Sequence, residues 1–65
     1  MTPYEQKLFL RLAACTVAGE ARGVIVLRRI LRDLGYTDDA MDAVTARLVA
    51  SVGALRQAEL FERAA

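Results

Sequence analysis

Apolar residues recur at helical spacing along nearly the whole chain. Over residues 3–18 (PYEQKLFLRLAACTVA), Tyr4, Leu8, Leu12 and Cys15 fall on one side of a helix turning about 100° per residue. Phe9, Leu10, Ala13 and Val17 fall on a second side, roughly opposite. Lys7 and Arg11 separate the two on one flank, Glu5 and Thr16 on the other. Thr2 predicts an N-cap, Pro3 the first helical position, and Glu5 completes a T-x-x-E capping box. Gly19 predicts the stop. A helix with two apolar faces has more to bury than a short chain covers by itself.

The second pattern covers about residues 20–34. Val24, Leu27, Ile30, Leu31 and Leu34 make one stripe, with Val26 at its edge. Arg28, Arg29, Arg32 and Asp33 take the far side, Arg22 stands one turn earlier, and Ile25 sits among the arginines. Gly23 lies inside this span, where it costs ~1 kcal/mol against Ala and can delay the helix start. The β-branched run Val24-Ile25-Val26 is the one strand-like cluster, and it lies within a pattern that continues at helical spacing.

The third pattern runs from about residue 38 to 63, about 39 Å at ~1.5 Å per residue. Met41, Val44, Leu48, Val52 (or Ser51) and Leu55 form its seam. Ala43, Ala46, Ala50, Gly53 and Ala54 are small enough to let another helix approach, and Gly53 is either such a contact or a kink. Leu60 and Phe61 restore large apolar surface near the end, either for a helix that bends back or for a second subunit.

Between the second and third patterns lies LRDLGYTDDAM, residues 31–41. Gly35 suits a left-handed C′ position, and Tyr36 the hydrophobic contact that accompanies such a cap. Thr37 caps the next helix, while Asp38 and Asp39 put negative charge in its first turn, where the helix dipole favours it. A Leu-Gly-Tyr joint followed by a helix resembles the turn of ubiquitin-associated domains. It is also similar to the small helical domain at the end of a Holliday-junction-binding subunit. The resemblance covers roughly residues 30–45. Those families close with a third short helix after a loop, and no break precedes Gly53 here, so their functions are not carried over.

Composition narrows the chemistry. Sixty-five residues allow one domain, residues 1–65. With no histidine and a single cysteine, Cys15, the chain offers no disulfide, no zinc set and no histidine-based nucleophile. Oligomerisation is the remaining stabiliser for so short a chain. The net charge of +1 sets up no global field for nucleic acid or membrane. No apolar run approaches a transmembrane length, and the start has no basic region of a signal peptide. A cytoplasmic location follows as the expectation, with a reduced Cys15. Eight of the nine basic residues are arginine, which reads as the coding bias of a GC-rich bacterial or phage genome.

Three clusters invite chemistry. Asp38, Asp39 and Asp42 lack the glycine turn and closing glutamate of a calcium loop and read as a charge-compensated helix start. Cys15 has only Arg11 as a basic neighbour at helical spacing and reads as a buried, inert thiol. Glu59 and Glu62 stand one turn apart, but paired carboxylates do chemistry only in a cleft, which a short helical chain rarely forms. No catalysis, cofactor or metal is expected. The arginine stripe is the strongest candidate surface, suited to an acidic partner or to phosphates. Near-zero net charge, Asp33 on the same surface and the lack of interleaved aromatics weigh against nucleic acid.

The sequence thus predicts an all-α fold, a small three-helix domain with a long C-terminal helix, as an intertwined or side-by-side homodimer. Phe9, Ala13, Val17, Ala50, Gly53, Leu60 and Phe61 are the expected dimer interface. Arg22, Ile25, Arg28, Arg29 and Arg32 are the expected contacts for a partner protein, of which this chain would be a regulator, adaptor or inhibitor. The alternative is a nucleic-acid-binding module that uses the arginine-rich face.

Overall fold

Local signals set where each helix begins and ends. In the computed structural model, the backbone is described for residues 1–64 and side chains for residues 1–51. The chain forms three helices, α1 (Pro3–Ala18), α2 (Ala21–Asp33) and α3 (Asp38–Ala64), with no strand among the described residues. Thr2 caps α1: its hydroxyl accepts from the Glu5 N–H at 3.2 Å. The other half of the expected capping box is not used, because the Glu5 carboxylate accepts instead from the Tyr36 hydroxyl.

Both joints close on a left-handed glycine. Gly19 has φ 73° and Gly35 φ 103°. At each joint two N–H groups turn back on the preceding helix: Gly19 to the Thr16 carbonyl and Glu20 to that of Cys15, then Gly35 to Arg32 and Tyr36 to Leu31. This pairing satisfies the orphan carbonyls of a helix end. Thr37 caps α3 as expected, its hydroxyl accepting from the Ala40 N–H at 3.2 Å.

Gly23 does not delay α2, which already starts at Ala21. Its role is spatial. A Cβ at position 23 would stand 2.6 Å from the Cys15 sulfur, closer than real Cβ atoms come to any atom. The missing side chain lets α2 lie against α1 at this point.

The core consists of Leu8, Phe9, Leu12, Leu27, Leu31 and Met41, with Ala13 beside them. Burying each of the large side chains contributes about 1.5–3 kcal/mol. Cys15, Val24, Ile30, Tyr36, Val44 and Leu48 are half-buried around it. Thr45 is buried on the same side of α3 as Met41, and its hydroxyl has no hydrogen-bond partner among the described residues. The helices are not equivalent. Among the described residues, α1 packs on both α2 and α3, whereas α2 and α3 meet only sparingly.

Phe9 and Ala13, expected at a dimer interface, are 1% and 2% exposed and pack within the chain. Each apolar face of α1 is covered in part: Leu8, Phe9, Leu12 and Ala13 are buried, while Tyr4, Leu10 and Val17 are exposed. Phe9 meets Tyr36 edge-on, ring centroids 5.1 Å apart and planes at 89°. Of the other expected interface residues, Val17 is 45% exposed and Ala50 is exposed. Gly53, Leu60 and Phe61 lie outside the residues whose side chains are described.

Candidate functional site: the outer face of α2

The turn between α2 and α3 sets the last turns of one helix beside the first turn of the next. Basic side chains suit a helix C-terminus and acidic ones an N-terminus, so opposite charges meet across the turn. Arg28 donates to the Asp42 carboxylate at 2.7 Å and to Asp38 at 3.4 Å, and Arg32 donates to Asp38 at 2.7 Å. The hydrogen bond from Arg32 holds the Asp38 carboxyl below its ordinary pKa, with smaller help from Arg28. The hydrogen bond to Asp42 raises the pKa of Arg28 further. Two candidate features thus answer each other: half of the arginine stripe is engaged by the acidic cluster.

The remaining half faces solvent. Arg22 and Arg29 are exposed and make no ion pair with any described residue. Seven residues apart, they stand nearly in line on α2, about 10 Å from one another along the axis. Ile25 and Val26 flank that line and are 66% and 56% exposed. Asp33, also exposed, follows one turn after Arg29. The sequence placed Val26 at the edge of the core stripe. It lies outside, about 100° around the helix from buried Leu27.

The sequence reading missed two features. The first is the Arg–Asp latch, which charges of opposite sign on either side of a tight turn would have signalled. The second is the bond from Tyr36 to Glu5, which ties the α2–α3 joint to the first turn of α1. That hydrogen bond, with some desolvation and the negative charge of Glu5, raises the Tyr36 pKa. Partly buried tyrosine hydroxyls seek such a partner.

Other candidates are less developed. Cys15 is half-buried rather than buried, with its sulfur 3.9 Å from a Glu20 carboxylate oxygen. No group of three or more metal-ligating side chains is assembled among the described residues. Between α1 and α3 runs an open apolar groove of about 290 Å³, lined by Met1, Gln6, Phe9, Leu10, Val44 and Leu48. Among the described residues no helix is long and apolar enough to cross a membrane. Compared with known proteins, the chain matches no protein-family model, no curated protein and no solved structure.

Proposed function

We propose that this chain is a small non-enzymatic interaction protein, a regulator, adaptor or inhibitor, that docks a partner protein on the outer face of α2. One observation carries the reading: two β-branched apolar residues, Ile25 and Val26, stand exposed beside two arginines that have no ion pair among the described residues. Docking on a helical surface needs only an apolar strip with charges to set the register. Arg28 and Arg32, expected as contacts, stand at the rim and serve first to hold α3. A homodimer and an unbroken α3 reaching about residue 63 belong to the same proposal. Nucleic acid is the second reading, weakened because Asp38 and Asp42 compensate two of the four arginines.

The test is capture from an extract of the native host, comparing the wild-type chain with Arg22→Glu/Ile25→Asp. A stoichiometric protein retained by the wild type and lost by the variant, at unchanged far-UV circular dichroism, is the expected outcome. Equal capture by both removes α2 from the reading. Nucleic acid that leaves in high salt, and leaves earlier from Arg28→Ala or Arg32→Ala, favours the second reading instead.

A further inference from the structure

The outer face of α2 carries a code of charge and apolar surface. Arg22, Ile25, Val26 and Arg29 stand at positions i, i+3, i+4 and i+7, all exposed. Four residues at that spacing frame the hole into which a facing helix sets a side chain. Asp33 follows one turn on and is the only acid within α2. We propose that this face takes one helix of an acidic partner protein, which sets two carboxylates seven residues apart on Arg22 and Arg29 and apolar residues between them on Ile25 and Val26. This rests on the reading of the face as a docking surface and gives the chemistry of what docks.

Among the described residues, no acid of the chain itself takes these two arginines. Asp38 and Asp42 are held by Arg28 and Arg32, and Glu20 lies against the Cys15 sulfur, toward α1. Asp33 and Asp39 are exposed and form no ion pair with either arginine. A second copy is a poor fit as well. In an antiparallel pair of α2 helices, a two-fold axis between Ile25 and Val26 sets apolar on apolar but lays Arg22 on Arg29 of the other copy. A parallel pair lays each arginine on its own counterpart. Sliding the antiparallel pair until Arg22 meets the other copy's Asp33 brings the two Arg29 side chains together at the axis. Like charges set opposite one another cost affinity, so the face selects against its own copy and for carboxylates. A homodimer then uses another surface. Asp33 also limits the charge a partner can bring. It lies about 6 Å beyond Arg29 along the axis and repels a third carboxylate at the next turn, so two spaced acids fit better than a uniformly acidic face.

Helical peptides titrated into the isotopically labelled full-length chain, followed through its backbone amide resonances, test the code. The matched probe is an alanine-rich peptide, lactam-bridged to hold its helix, that carries Glu-x-x-Leu-Leu-x-x-Glu, a pattern that reads the same in both chain directions. The control has the same composition and net charge, with its glutamates on opposite sides of the helix. The matched peptide is expected to shift the amides of residues 22–29 with a Kd below about 1 mM, and to bind about tenfold more tightly than the control. Arg22→Glu/Arg29→Glu should lose the matched peptide, and a Lys-x-x-Leu-Leu-x-x-Lys peptide should bind that variant in its place. Arg22→Gln/Arg29→Gln, with a smaller loss of the matched peptide, serves if the reversed chain does not fold by circular dichroism. No saturable binding, equal binding of matched and control peptides, shifts confined to the groove between α1 and α3, or no recovery by the lysine peptide would each overturn the proposal. So would α2 amides that move when the chain alone is diluted, as the departure of a second copy would make them. Capture experiments separate this inference from the reading it rests on. A host protein captured through α2 that carries no such pair of acids defeats only the chemistry. Matched-peptide binding in a chain that captures no protein through α2 defeats only the functional reading.

Discussion

Tyr36 shows how one residue closes the fold. Its ring meets Phe9 edge-on, and its hydroxyl donates to Glu5, 31 residues away in sequence. Only the protonated hydroxyl can donate, so the folded chain holds this proton more tightly than the unfolded one. The unfolded tyrosine ionises first, near pH ~10, and stability falls as pH rises from there through the higher folded value. Urea midpoints should therefore drop between about pH 9 and 11, and Tyr36→Phe should lose part of that drop. An identical pH profile in the variant would rule out the Glu5 bond as its source. Asp38 works in the opposite sense. Its carboxyl is held low by Arg32, so its contribution is present above about pH 3.9 and disappears as pH falls through the lower folded value. Acid titration of Asp38→Asn should show that part of the loss missing. The backbone chemistry of this joint was legible in the sequence, since Gly35 and Thr37 act on groups three or four residues away. The Tyr36 partner was not, because only tertiary packing brings position 5 to position 36. Gly35→Ala should cost about 1–2 kcal/mol in chemical denaturation, the penalty for a side chain at positive φ.

Between helices, the contact of Cys15 with Gly23 pits two opposing effects against each other. Gly23→Ala gains about 1 kcal/mol of helix propensity but places a methyl group against sulfur, and such overpacking costs about 1–3 kcal/mol. The steric term should win in the wild type, giving a net loss of stability. In a Cys15→Ala background the sulfur is gone, and the same substitution should stabilise the chain. This reversal of sign is the measurement; a loss of equal size in both backgrounds would show that the sulfur is not the obstacle. The spacing of apolar residues predicted an all-helical chain of three helices, as found, because amphipathic periodicity is written locally. Periodicity shows that a face must be covered, not which element covers it: Phe9 and Ala13 pack inside the chain. The Arg–Asp latch between α2 and α3 is exposed and open to screening. Added salt should therefore lower the stability of the wild type more than that of Asp38→Asn, read by urea denaturation.

At the scale of the molecule, α1 is the hub. α2 and α3 each pack on it, and among the described residues they share little with one another beyond the joint and the latch. Docking through α2 therefore leaves the core contacts of α1 untouched: Leu27 and Leu31 face inward while Ile25 and Val26 face out. Charge-reversing substitutions on that outer face should leave the thermal midpoint of the monomer almost unchanged, which thermal melts at concentrations below dimerisation would check. The hub position also bears on how the protein is made. Synthesis runs from the amino terminus, so α1 is made before the two helices that pack on it. One of its apolar faces waits for α2 and the other for the Val44 and Leu48 side of α3. The part of the α1 surface that α3 packs against stays bare until residues 44–48 have followed it out.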